Sequence, residues 1–416
     1  MASFGDGPGP GEFAGRLPAV VSMVRPVSKS LMFVVLGGHG HVTPTLPLVG
    51  ELVHRGHHVG YACGPEFADA VTATGTRWVP LPGLPQFRPP AQVGPEVVGL
   101  WLRHIFAALA ATYPPLLAHA REQRPDAVVY DATNWPARLV ADQLGIPAIR
   151  TVPNLAANES YSGVDQALTA GLDDDPTMTA LAGDIAAFAA EYDVGLDFAA
   201  TMDVTEALNL VFVPRAFQPA GDSFDDRFRF LGPVLGARPD EQAWASPDPE
   251  RPLLYVSLGS IFTDHPELHR TCLDAFDDDR WQVCMTIGST DLGQLGPIPA
   301  TVQLRPWFPQ LQVLAHASAF LTHAGMGSTM EALYHGVPML TLPQMPEQVV
   351  NADRITELSL GHRLDPATLD PASLRRAAEE LISSPRIRDS IDRMRAQARD
   401  GGGAVAGAEV IEAHLA

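Results

Sequence analysis

Two histidines, His39 and His41, follow an apolar run that reads as a buried strand, Leu31 to Leu36, and lie in the segment Gly37-Gly38-His39-Gly40-His41-Val42-Thr43-Pro44. The glycines let the chain turn tightly and keep the surface open. A neutral imidazole between a strand end and a helix start can take a proton from a bound hydroxyl. A helix N-terminus disfavours the protonated ring, so the expected direction is towards a free base near neutral pH. Asp131 ends another strand, Ala127 to Tyr130, and in a parallel sheet it opens onto the same edge. There it can fix the imidazole tautomer and stabilise the charge formed when the base is protonated. A plainer reading stands equally open, because Asp131-Ala132-Thr133-Asn134 is good turn chemistry and Asp131 can simply cap it. A metal role for His39 and His41 is weaker, since no third ligand is marked out nearby.

The second concentration of chemistry is LTHAGMGSTMEALYHGVPMLTLPQMPEQVVNAD, Leu321 to Asp353. An apolar strand runs into His323, a small-residue turn follows, and a helix begins near Ser328 with its free N–H groups outward, which is an anion-binding corner. A further strand, Pro338 to Leu342, ends at Pro343, and Gln344 to Gln348 add polar groups. Two such loops on one sheet edge make a site for something large, anionic at one end and rich in hydroxyls at the other. Single residues keep two readings each. Ser328 to Glu331 has capping-box spacing, yet a carboxylate there can also bind the vicinal hydroxyls of a ribose. His323 can meet a diphosphate or sit in the core. Trp307, beside Gln310, can offer a flat ring to a base or wedge into the interior. Ser257 and Ser260 put two hydroxyls and a flexible turn near the same place. Neither a GxxxxGK[ST] loop nor a GxGxxG fingerprint is present, so phosphate and hydride transfer lose ground.

The elements that must position these groups alternate as strand and helix, which predicts α/β architecture with parallel sheets. In the first half the strands are Leu31 to Leu36, His58 to Ala62, Ala127 to Tyr130 and Ala148 to Val152, with Thr43-Pro44 opening the first helix. In the second half they are Leu253 to Ser257, Gln282 to Ile287, Val302 to Leu304, Ala319 to Thr322 and Pro338 to Leu342. The Pro-, Gly- and Asp-rich stretch Pro214 to Pro249 reads as a passage between domains. The expected organisation is a disordered lead at 1–29, a Rossmann-like domain at 30–232, a linker at 233–250, a second Rossmann-like domain at 251–392, and a C-terminal helix at 393–416 packing back toward the first domain. A chain of 416 residues with 46% hydrophobic content suffices for two cores. Lys and Arg number 28 against 48 Asp and Glu, a formal charge of −20, which disfavours nucleic acid as a partner. The three cysteines, Cys63, Cys272 and Cys284, lie far apart without CxxC spacing and suit a reducing, cytoplasmic setting. No apolar run reaches the length of a membrane span.

Taken together, HGHVTP at His39 to Pro44, Trp307-Phe308-Pro309-Gln310, SLGSIFTDH at Ser257 to His265, HAGMGSTMEAL at His323 to Leu333 and PQMPEQ at Pro343 to Gln348 resemble the GT-B glycosyltransferases, in which two Rossmann-like domains face each other across a cleft. The closest likeness is to the inverting actinobacterial macrolide enzymes of the oleandomycin type. That resemblance implies His41 as catalytic base and Asp131 as its paired acid, with His39 shaping the site. It implies Trp307 and Gln310 for the uracil, and Ser260, His323, Gly325, Gly327 and Ser328 for the diphosphate. Glu331 would take the ribose, and Glu347 with Gln348 the sugar hydroxyls. Many relatives carry Asp where Glu347 stands, and Glu reaches further by one methylene. The implied reaction moves a hexose, glucose from UDP-glucose first, to a hydroxyl of a hydrophobic acceptor such as a macrolide, giving a β-glycoside with no metal and no permanently bound cofactor. The alternatives are a dTDP-deoxysugar transferase of polyketide biosynthesis, or an epimerase or hydrolase on the same fold. The loose segments from Pro80 to Tyr113 and Thr177 to Asp203 are the expected acceptor pocket, and the expected assembly is a monomer or homodimer.

Overall fold

The computed structural model describes residues 27–35, 38–83, 85, 96–162, 175–198, 201, 203–236, 238, 243–259 and 265–416. Ser260 and most of the expected N-terminal lead lie outside the described residues, as do parts of the expected acceptor segments.

Among the described residues thirteen short strands, the central ones mostly apolar, form two all-parallel sheets. The first contains β1 (Ser30–Val34), β2 (His58–Cys63), β3 (Arg77–Pro80), β4 (Ala127–Asp131), β5 (Ala148–Val152), β6 (Leu208–Val211) and β7 (Phe228–Phe230), in the order β3-β2-β1-β4-β5-β6-β7. The second contains β8 (Leu253–Ser257), β9 (Gln282–Thr286), β10 (Val302–Arg305), β11 (Ala319–Thr322), β12 (Met339–Thr341) and β13 (Gly361–Arg363), in the order β10-β9-β8-β11-β12-β13. Each order reverses direction once, between β1 and β4 and between β8 and β11. At such a point the loops leaving the strand ends diverge and open a crevice. Register places Val34 opposite Tyr130 and Thr322 opposite Ser257. The exits of the four central strands therefore carry the segments that hold His41, Asp131, Gly259 and His323.

Helices cover both faces, which is why central strands such as β4 and β8 are buried along their whole length. One face of the first sheet packs on the Leu46–His54 helix and on the last helix, Gly403–His414. Its other face packs on helices Glu96–Ala110, Tyr113–Gln123, Trp135–Leu144 and Pro176–Tyr192. The core of the second domain continues through Ala132, Val152, Ala156, Val213 and Phe217, so the domains share an apolar seam beneath the crevice. The helix Pro385–Asp400 still belongs to that second core, through Ile387, Ile391 and Met394. Only Gly403–His414 crosses to the first domain. Ala408 and Ile411 enter its core there, and Glu412 accepts bonds from Arg55 (3.0 Å) and His57 (2.9 Å).

Several boundaries differ from expectation for physical reasons. The stretch from Pro214, read as a passage between domains, contains β7, whose Phe228 is buried and pairs the segment onto β6. The apolar stretch after Glu96 forms two helices, Glu96–Ala110 and Tyr113–Gln123, because Pro114 and Pro115 sit at the start of the second, where their missing N–H groups are tolerated. Thr43 does not open the first helix. A helical turn begins at His39 and runs through Thr43–Thr45 into Leu46–His54.

Candidate active site

His41 thus stands in the opening turn of a helix rather than in the loop before it, and its Nδ1 lies 2.8 Å from Asp131 Oδ2. Asp131 is fully buried, and its other oxygen accepts from the Thr133 N–H at 3.0 Å and hydroxyl at 2.5 Å. Both sequence readings of Asp131 are realised, one on each oxygen: Oδ1 caps the turn and Oδ2 takes the imidazole. Since a carboxylate only accepts, Nδ1 carries the proton and the Nε2 lone pair is left free. The His41 side chain keeps 21% of its surface exposed, so that nitrogen can be reached.

The electrostatics correct the expected direction. Burial works against a charged imidazole, but the charge and hydrogen bond of Asp131, and then the charge of Glu347, outweigh it and raise the His41 pKa. A carboxylate at hydrogen-bond distance dominates the weaker field of a helix end. For Asp131 burial pushes upward, and His41 and the Thr133 bonds hold its carboxyl below the ordinary value. Neighbouring His39 is exposed and meets the Phe67 ring edge-on at 5.2 Å.

In the second domain, β11 ends at Thr322 and the helix Met326–His335 starts after Gly325. Between them Ala324 takes a left-handed conformation, with φ 63°, and its carbonyl accepts from Asn351 at 3.0 Å. That sharp turn puts His323 beside the helix N-terminus. Gly259 and Gly325 press on its ring: a Cβ on either would lie 2.7 and 2.4 Å, respectively, from His323 Nε2. Burial pushes the His323 pKa down to about 4 against the pull of the Ser257 backbone, so the ring is neutral at physiological pH. Its Nδ1 is buried without a partner among the described residues. Around Gly327 the space is open, since a Cβ there would meet nothing within 4 Å.

The helix begins earlier than Ser328, and so Ser328 is not its cap. The capping-box reading of Ser328 and Glu331 gives way to a different network. Gln310 donates to Ser328 Oγ at 3.1 Å and to Glu331 Oε2 at 2.7 Å, while Arg238 donates to Glu331 Oε1. Tyr255 reaches Gln310 Oε1 at 3.4 Å. Trp307 is 55% exposed at the same corner, so the core reading does not hold for it. Gln348 caps its own helix, Pro346–Glu357: its Oε1 accepts from Gln344 N at 2.8 Å and Met345 N at 3.2 Å, which leaves the amide nitrogen available. Glu347, in the first turn of that helix, has its pKa raised by loss of surrounding water, with His41 pulling the other way. His41 and Glu347 thus lie within electrostatic reach of each other.

Three participants escaped the sequence reading. Arg238 stood in the Pro/Gly-rich passage with no motif around it. Tyr255 looked like a mid-strand core residue. Arg354 carried a signal of position, as an arginine about two helical turns beyond Glu347 on the same helix. It donates to the backbone oxygens of Phe217 (2.8 Å), Ala216 (3.0 Å) and Gln218 (3.3 Å), tying the Pro346–Glu357 helix to the first domain. Among the described residues, no helix is long and apolar enough to cross a membrane, and no three His, Cys, Asp or Glu side chains converge as a metal-binding group.

Comparison with known proteins accounts for nearly the whole chain. Residues 270–409 match the family described as erythromycin biosynthesis protein CIII-like, C-terminal domain. The chain is 36% identical over 399 residues to demethyllactenocin mycarosyltransferase of Streptomyces fradiae, covering 92% of this chain and 86% of that protein. It is 34% identical over 397 residues to oleandomycin glycosyltransferase of Streptomyces antibioticus, covering 91% and 89%. Among solved structures it is similar to the glycosyltransferase of kitacinnamycin, with a TM-score of 0.85, 34% identity, and coverage of 94% of this chain and 100% of that one.

Proposed function

The chain belongs to the nucleotide-sugar glycosyltransferases of GT-B fold, and from that premise we propose that it is an inverting enzyme that moves a deoxyhexose from a dTDP- or UDP-sugar to a hydroxyl of a hydrophobic natural product such as a macrolide. The observation that carries this reading is the His41–Asp131 pair at 2.8 Å, within electrostatic reach of Glu347 across the crevice. His41 Nε2 takes the proton of the acceptor hydroxyl as that oxygen attacks the anomeric carbon. The bond from this carbon to the diphosphate oxygen breaks on the opposite face, and its electron pair leaves with the diphosphate. One displacement inverts the centre, so an α-linked donor yields a β-glycoside. Asp131 stabilises the imidazolium formed.

The leaving group gains negative charge, and the N–H groups at the start of the Met326–His335 helix are oriented to receive it. His323, wedged between Gly259 and Gly325, lines that helix start as a neutral ring. Trp307 offers its exposed ring to the base, Gln310 a polar edge, and Glu331 its carboxylate to the ribose. At the sugar, the Gln348 carbonyl is already spent on capping, which leaves one donor group there beside the Glu347 carboxylate. What supports the deoxysugar reading over UDP-glucose is the mycarosyl transfer named for the Streptomyces fradiae relative.

A matrix of dTDP- and UDP-sugars against macrolide and phenolic acceptors, read by mass spectrometry, tests this. The expected product is a β-linked deoxysugar glycoside that forms only when an acceptor is present. Faster turnover with UDP-glucose would replace the donor assignment. Sugar release or isomerisation without acceptor would replace the transferase by a hydrolase or epimerase.

A further inference from the structure

Glu331 is a carboxylate with only 8% of its side chain exposed, and a buried carboxylate needs partners to stay ionised. Gln310 serves one of its oxygens and Arg238 the other. Arg238 belongs to neither sheet. It is supplied by the segment that connects the two domains, and its own side chain is 23% exposed, beside the crevice. A carboxylate offers about four lone-pair sites, so two remain once Gln310 and Arg238 are seated.

We propose that Arg238 is a positioning residue of the donor site, which orients Glu331 so that its two remaining lone-pair sites receive the hydroxyls of the nucleotide pentose, both of them in a uridine donor and the 3′-hydroxyl alone in a thymidine one. This rests on the reading of Glu331 as the ribose residue and extends it to the linker. Arginine suits the task because its planar fork fixes direction as well as charge, whereas a lysine ammonium fixes only charge. The consequence is mechanical. The ribose subsite is complete only while the linker lies against the second domain, so donor binding reports on how the domains are joined.

The test compares binding of UDP and of 2′,3′-dideoxyuridine 5′-diphosphate by calorimetry, using the full chain and the variants Arg238→Met, Arg238→Lys and Glu331→Ala. A site built on a carboxylate should prefer UDP by on the order of 100-fold, the scale of losing hydrogen bonds to a charged group. In Arg238→Met that preference should fall to about threefold, through weaker UDP binding with dideoxy affinity kept, and Arg238→Lys should lie between. The ratio does not depend on the fraction of protein that is folded, so a partly unstable variant still gives an answer. If Arg238→Met keeps the full preference while Glu331→Ala loses it, the role of Arg238 is overturned and the ribose reading stands. If Glu331→Ala also keeps it, the ribose reading fails first and the proposal falls with it.

Discussion

Replacing Asp131 by Asn isolates the charge of the catalytic pair with little change of shape. In the native protein the buried carboxylate accepts from His41 at 2.8 Å and twice from Thr133. Asparagine keeps one acceptor, which the Thr133 bonds claim, and so turns its amide N–H towards the imidazole. That reverses the tautomer and puts a proton on the nitrogen that should act as base. Loss of a charge-assisted bond is worth about 2–3 kcal/mol. With the wrong tautomer added, the expected fall in kcat is about 10³-fold or more, or about 4 kcal/mol. Donor affinity should hold within about twofold, since Asp131 belongs to the opposite domain and its loss removes no uniform binding. The pH–rate profile adds an independent sign. Catalysis needs neutral His41, whose pKa is raised above 6.5, so the acidic limb of the native enzyme should lie above that value. Without Asp131 the largest remaining influence is burial, and the limb should move to lower pH. Glycoside formation measured by chromatography between about pH 5 and 9 gives both quantities. A variant within tenfold of the parent and with an unmoved limb would falsify the pairing.

The same pair sets a stability window. The share from charged His41 is full below the unfolded imidazole value and disappears as pH rises through the raised folded one, while the Asp131 share, full above 3.8, disappears as pH falls through its lowered value. The melting-temperature gap between native and Asp131→Asn protein should therefore be widest in mild acid and narrow as activity appears, and a gap that widens towards pH 8 contradicts this. Trp307→Ala should leave the melting temperature within about 1 °C, because the ring is half exposed, yet weaken UDP about 10- to 100-fold by titration, the scale of lost base stacking. Gly325→Ala should displace the His323 ring and raise the donor KM with the acceptor KM unchanged; Gly327→Ala should fold normally and raise the same KM only if the diphosphate lies over it. Arg354→Ala removes three bonds to first-domain carbonyls and should lower unfolding free energy by about 1–3 kcal/mol in denaturant titrations, with kcat falling more than donor affinity.

Much of the architecture is legible because parallel strands buried on both faces are written as short continuous apolar runs. Ala148–Val152 and Ala319–Thr322 have the bounds read from sequence. Strands such as β7 and β13 are three residues long, and only pairing with a neighbour distinguishes them from loop. In the candidate site, residues whose possible chemistry is suggested by their own segment could be named from it, as with His41, His323 and Trp307. Arg238 was not, because its meaning comes entirely from a carboxylate 93 positions away. The direction of the His41 pKa failed for the same reason: the local signal was a helix end, and the deciding charge came from another strand.

The two halves of the crevice rest on one topological device but leave different freedom to change. At the donor corner the chemical groups stand within a few residues of the strand ends, and His323 is wedged between Gly259 and Gly325, so substitution there meets backbone or ring at once. On the other side, helices Glu96–Ala110 and Pro176–Tyr192 pack against each other and onto the sheet through an aromatic group, in which Phe106 stacks on Trp135 at 5.4 Å and Phe188 meets both rings edge-on. Trp135 opens the helix that follows Asp131. These helices are thus joined to the catalytic edge both by their packing on the strands and by Trp135. Side chains exchanged on the outward faces of those two helices would leave this aromatic layer, and with it the strand end that holds the 2.8 Å His41–Asp131 pair, in place.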